Sequence, residues 1–243
     1  MNILEGHGLT KAFGGRVAVD NVDFTLAEGE ILGLIGPNGA GKTTLFNLIS
    51  GALSIDAGTV TLTDSDAGTR RVSGLKPHKI CHLGIARTFQ AAKNFPGMSL
   101  YDNILSSAQF GNKHISDKDA KAKTDKVIEF TGLEPLMDKS VKDIPLAGQK
   151  RLEVARALAT NPSILLLDEV MAGLNPSEVE ESMRLVTKIN ESGITIIMIE
   201  HVMKAIMSIC GRILVLHHGQ KLAEGSPEEI SSDKSVIEVY LGG

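Results

Sequence analysis

Two cysteines, Cys81 and Cys210, in 243 residues are far too few for a secreted disulfide scaffold. Dense Lys/Arg clusters are missing too, and the formal net charge is −4, so no nucleic-acid partner is expected. No apolar run approaches the roughly 18 residues of a membrane span. The opening MNILEGHGLTKAFGG lacks the apolar core of a signal peptide. The polypeptide is therefore expected to be cytoplasmic, and any membrane role must come through a partner. What is present is an ordinary globular composition, 42% hydrophobic and 22% charged. A chain of this length buries roughly 70% of its unfolded surface, enough for a proper core.

The most informative stretch is 31–44, ILGLIGPNGAGKTT, an apolar strand-like run entering a glycine-rich turn. Gly36, Gly41, Lys42 and Thr43 fit G-x-x-x-x-G-K-[ST], and a helix-forming run follows. Glycines at 36, 39 and 41 let the backbone turn sharply and aim N–H groups inward, where they and the next helix's N-terminus hold phosphate oxygens. The candidate phosphate-binding residues are therefore Gly36, Asn38, Gly39, Ala40, Gly41, Lys42, Thr43 and Thr44. Lys42 is expected to reach the β and γ phosphates and the Thr43 hydroxyl to ligate Mg²⁺.

Along the rest of the chain, 4–9, 17–26 and 58–62 read as short strands of a small antiparallel sheet. Residues 64–75 read as an exposed polar loop. Segments 100–110, 120–131 and 148–160 have helical periodicity. Buried strands are expected at 164–167 and 194–199, with a helix over 177–192 whose Val179, Met183, Val186 and Ile189 share a face. This β-helix-β order predicts an α/β fold with a mixed, mainly parallel sheet. The run Ile164-Leu165-Leu166-Leu167 delivers Asp168 and Glu169 to a strand's carboxyl end, where open α/β sheets bind ligands. Asp168 is expected to hold Mg²⁺, and Glu169 to polarise the water that attacks the γ-phosphate. His78, Cys81 and His82 could share a helix face, but a structural zinc site wants a fourth ligand and none lies nearby. A helix face after Pro77 explains them better.

These motifs resemble the ATP-binding cassette ATPases, and the resemblance covers nearly the whole chain. It implies one ATPase domain over 1–243: a phosphate-loop core with a small antiparallel β subdomain over about 1–90 and 161–243, and an inserted helical subdomain over about 91–160. Phe13 matches the aromatic that stacks on adenine, Gln90 the glutamine that senses Mg²⁺ and attacking water, and His201 the histidine on the γ-phosphate. Gly173-Leu174-Asn175-Pro176 matches the loop after the catalytic glutamate. GIARTFQ, ILLLDE and LAEGSPEEI look like the ATPase subunit of branched-chain amino-acid importers. The resemblance implies ATP and Mg²⁺ as cofactors, a second ATPase subunit, membrane permeases, indirectly a solute-binding protein, and a place on the inner face of the membrane. Importers of amides or urea, and non-transport cassettes acting as clamps in translation or DNA repair, are the alternatives. The clamp relatives carry two cassettes or a long coiled-coil insertion, and this chain has neither.

The chain departs from the family at the motif usually written LSGGQ, reading Ile144-Pro145-Leu146-Ala147-Gly148-Gln149. The family's serine falls on Pro145 by ungapped counting or on Ala147 by eye, and neither has a hydroxyl. Backbone donors of Ala147, Gly148 and Gln149 are expected to replace it against the partner's nucleotide. The segment 91–109 follows Gln90 directly, and its Phe95, Pro96, Met98 and Leu100 form an apolar set suited to a permease's cytoplasmic helix.

Overall fold

The computed structural model describes residues 1–64, 68–88, 94–113 and 115–241. The chain divides into two compact units, Met1–Ile80 with Thr195–Gly243, and Cys81–Ile194. In the first unit, strands β1 (Asn2–Phe13) and β2 (Arg16–Ala27) pair antiparallel down to Phe13↔Arg16. Gly14 and Gly15, at φ 52 and 85, make the turn between them. Then come β3 (Ile31–Ile35), α1 (Lys42–Ile49), β4 (Ala57–Asp64), β5 (Gly68–Arg71) and α2 (Pro77–Cys81). The antiparallel sheet has the order β2-β1-β4-β5. Its last strand corrects the loop expected over 64–75. Thr61 and Thr63 of β4 pair with Arg71 and Thr69, and the Thr63 and Thr69 hydroxyls are 2.9 Å apart. A polar edge strand held by cross-strand hydroxyls carries no apolar alternation to reveal it.

The second unit holds β6 (Ile85–Arg87), α3 (Leu100–Gly111), α4 (Asp117–Thr131), α5 (Leu146–Leu158), β7 (Ile164–Asp168) and α6 (Pro176–Glu191). All three helices read from periodicity are present. α4 starts ahead of residue 120 because the Ser116 hydroxyl accepts the Asp119 N–H, an N-cap. α6 buries the four residues read as its apolar face and begins on a capping box, Asn175 with Glu178. β6 and β7 run parallel, Ala86 opposite Leu165.

The chain returns to the first unit with β8 (Thr195–Ile199), α7 (Met203–Ile209), β9 (Arg212–His217), β10 (Gln220–Gly225), α8 (Pro227–Ser232) and α9 (Lys234–Leu241). There the strands lie in the order β10-β9-β3-β8. β3 is parallel to both β8 and β9, whereas β9 and β10 form a hairpin. Every residue of β3, β7 and β8 is buried, the signature of parallel strands covered on both faces. The fold is α/β, with a mixed, mainly parallel sheet, a small N-terminal antiparallel sheet and an inserted group of helices. Among the described residues no helix is long and apolar enough to cross a membrane.

Candidate functional site

In the first unit β3 delivers the chain to a turn in which Gly36, Gly39 and Gly41 have φ of 150, 79 and 104. A Cβ on Gly36 would lie 2.1 Å from the Leu216 carbonyl oxygen, and one on Gly41 2.5 Å from that of Ala18. Only glycine fits either position. Gly41 caps α1, whose first amide bond runs from Leu45 N–H to the Gly41 carbonyl at 2.8 Å. The first-turn amides therefore point out of the helix end, and no acidic side chain stands among them. The Lys42 side chain is buried, its ammonium donating to the carbonyls of Gly36 at 2.6 Å and Pro37 at 3.0 Å. A backbone cradle with one interior cation fits a polyphosphate. Gly41→Ala should weaken MgATP binding at least about 10-fold, because left-handed strain of about 1–3 kcal/mol adds to a main-chain clash. Titration with a fluorescent ATP analogue checks this, and wild-type affinity in that variant contradicts it.

Around the loop, Asn38 and Gly39 are exposed at its crest, whereas Thr43 and Thr44 are half-buried. The Ala40 carbonyl accepts the Gly219 N–H at 3.1 Å, and the Gly219 carbonyl accepts the Asp20 N–H at 2.8 Å. These bonds tie the loop to β2 and to the β9–β10 turn. β2 leads back to Phe13, whose ring is 48% exposed with the Lys11 ammonium 5.6 Å from its centroid. Lys11 is itself held by Asp56 at 2.7 Å. Leu34 pairs with Ile199 in parallel register, so β3 and β8 end side by side. The exposed His201 thus leaves the sheet at the same carboxyl edge as the phosphate loop.

In the second unit β7 ends on Asp168, which has no exposed surface. Its Oδ2 accepts from Arg87 Nη2 at 2.9 Å, and its N–H donates to Thr88 Oγ1 at 2.9 Å. Oδ1 is buried with no hydrogen-bond partner among the described residues. Burial pushes this carboxyl's pKa up, Arg87 pulls it down, and the neighbouring Glu169 raises it again. An orphaned buried carboxylate oxygen is a donor of the kind a hard divalent cation takes. Glu169 follows at φ 52, a left-handed conformation rare outside glycine and frequent at functional sites. Gln90 lies outside the described residues. Among those residues no three or more His, Cys, Asp or Glu side chains gather into a metal cage. Mg²⁺ needs none, since it keeps several waters and takes one or two carboxylates with substrate phosphates. α2 starts at Pro77, as expected, and stops at Cys81, so His78 and Cys81 lie on it and His82 just beyond its end.

The profile of the ABC transporter family matches residues 19–172. The chain belongs to that family. It is an ATP-binding cassette ATPase, of the class whose hydrolysis is coupled to transport. The profile of a branched-chain amino acid ATP-binding cassette transporter family matches residues 220–243. The high-affinity branched-chain amino acid transport ATP-binding protein LivG of Salmonella typhimurium is 38% identical, over 99% of this chain and 98% of its own. The lipopolysaccharide export system ATP-binding protein LptB of Escherichia coli is 35% identical, over 100% of this chain and 98% of its own. The ADP conformation of a solved ABC transporter cassette superposes with a TM-score of 0.87 at 29% identity, covering 100% of both chains.

The segment over 144–149, read from sequence against LSGGQ, runs into a helix. α5 begins at Leu146 with Pro145 as N-cap and no side-chain cap. Gly148 is buried, and a Cβ there would lie 2.4 Å from Ile144 Cγ2. The Gln149 amide turns back to donate to the Ile144 carbonyl at 2.9 Å. Pro145 and Leu146 form the exposed tip, and Ala147 is half-exposed. Leu100 also departs from expectation. It is the first residue of α3 and wholly buried, which leaves Phe95, Pro96 and Met98 as the exposed apolar set. Buried Asn103 fixes that loop, accepting the Phe95 N–H at 2.8 Å and donating to the Phe95 carbonyl at 3.1 Å. The Phe95 ring, 47% exposed, packs against the Arg156 guanidinium 5.1 Å from its centroid. Arg87 and Lys150 were not singled out from sequence, because a buried cation reads there as an ordinary surface residue.

Proposed function

We propose that this chain is the ATPase subunit of an importer for branched-chain amino acids, held on the cytoplasmic face of the membrane by its permeases and working with a second ATPase subunit. The observation that carries the substrate is the match of residues 220–243 to the branched-chain family. LivG adds support. Full-length similarity alone does not choose the solute, since LptB, named for lipopolysaccharide export, is nearly as similar. A solute-binding protein acts on the far side, through the permeases.

In this reading Phe13 stacks on the adenine, and Lys42 meets the β and γ phosphates together with the amides of Gly39, Ala40, Gly41, Thr43 and Thr44. The Thr43 hydroxyl and Asp168 hold Mg²⁺, joined by Gln90. When bound, that ion neutralises charge building on the phosphates. Glu169 takes the proton of the attacking water, and His201 contacts the γ-phosphate. The N-terminus of α5, with the backbone donors of Ala147, Gly148 and Gln149, faces the second subunit's nucleotide, and the segment over 91–160 passes its motion to the permeases. Phe95, presented by Asn103, is the docking contact.

Cells lacking this gene should lose uptake of radiolabelled leucine, isoleucine and valine. The wild-type gene should restore it, and Phe95→Asp should not, although purified Phe95→Asp protein still hydrolyses ATP. Normal leucine uptake in the deletion strain, with loss of another solute, contradicts the substrate. Full rescue by Phe95→Asp contradicts the docking surface.

A further inference from the structure

On α5, Lys150 is buried, and its ammonium donates to the main-chain carbonyl of Glu169 at 3.1 Å. That carbonyl also takes the Ala172 N–H at 3.3 Å. Two donors from different elements thus fix the orientation of one peptide, the one that carries Glu169 in its left-handed conformation at φ 52. If Glu169 relaxed to the ordinary negative φ, its carbonyl and its Cβ would both swing, and the carboxylate would leave its present direction. A neutral donor would suffice to brace a turn, and burying an ammonium is expensive unless its charge is used. Here the charge acts on two carboxylates. It acts favourably on Asp168 and on Glu153, one turn further along α5, and the Oε2 of Glu153 is buried with no hydrogen-bond partner among the described residues.

We propose that Lys150 is a positioning residue for hydrolysis, holding the Asp168–Glu169 turn so that the Glu169 carboxylate is aimed at the attacking water. This rests on Glu169 being the general base. Lys150 touches neither nucleotide nor water in this role; it acts through the Glu169 main chain. It therefore affects turnover more than nucleotide affinity, and a longer cation can partly replace it.

Single-turnover ATP hydrolysis, MgATP affinity and thermal midpoint, measured on wild type, Lys150→Met, Lys150→Arg, Glu169→Gln and the Lys150→Met/Glu169→Gln double variant, test the assignment. Lys150→Met should lower the hydrolysis rate about 10-fold or more with MgATP affinity within about 2-fold, and Lys150→Arg should return to within about 3-fold of wild type. In the Glu169→Gln background Lys150→Met should cost nothing further, because the group it positions is already gone. Wild-type hydrolysis by Lys150→Met overturns the proposal. So do multiplying losses in the double variant with Lys150→Arg as poor as Lys150→Met, which mark a general packing role. Wild-type turnover by Glu169→Gln would instead remove the general base, and Lys150's role with it.

Discussion

Glu169→Gln should lower ATP turnover by about 10²–10⁴, equivalent to roughly 3–5.5 kcal/mol of barrier, while MgATP still binds. The amide keeps the size and most hydrogen-bonding capacity of the carboxylate but cannot accept a proton from water. The conformation at φ 52 depends on the main chain and its two donors, Lys150 and Ala172, which the substitution leaves in place. Binding and chemistry therefore separate. With hydrolysis blocked, the ATP-bound pair of subunits should accumulate, and the variant should elute from gel filtration as a dimer only when ATP is present. An unchanged rate of hydrolysis in Glu169→Gln contradicts the assignment.

Lys42→Ala should be at least as damaging, and at an earlier stage. Lys42 is the one cationic side chain in the loop over 36–44, and its ammonium is already inside that loop, resting on the Gly36 and Pro37 carbonyls. Phosphate oxygens replace weak carbonyl acceptors with charged ones, so the gain on binding is that of a charge-assisted bond in a sheltered site. Removing the ammonium should weaken MgATP affinity at least about 10-fold and bring turnover to background. Because the backbone cradle depends on glycines and not on Lys42, the thermal midpoint should stay near wild type. Retained hydrolysis in this variant contradicts the phosphate loop.

The parts of the molecule that could be read in advance are those where local chemistry leaves one option. Gly36 and Gly41 sit where any Cβ would strike a main-chain oxygen, so residue type and backbone shape determine each other. β7 is a run of four apolar residues ending in a carboxylate, and α6 repeats its apolar residues at helical spacing. What escaped depends on distant partners. Arg87 meets Asp168 across 81 positions and Lys150 meets Glu169 across 19, and nothing next to either cation in the chain signals burial. β5 escaped because its pairing is polar. In the segment over 144–149 a Cβ on Gly148 would meet Ile144 and Leu136. Gly148→Asp would therefore press its side chain into a small apolar contact. Leu100 counted as a docking residue by composition, yet α3 turns it inward.

The most direct measurement is phosphate release from MgATP by the purified protein beside its Glu169→Gln and Lys42→Ala variants, with bound nucleotide quantified in the same samples. Steady release by wild type, none above background from either variant, and retained ATP in Glu169→Gln alone is the predicted result. Equal release by all three proteins would contradict it.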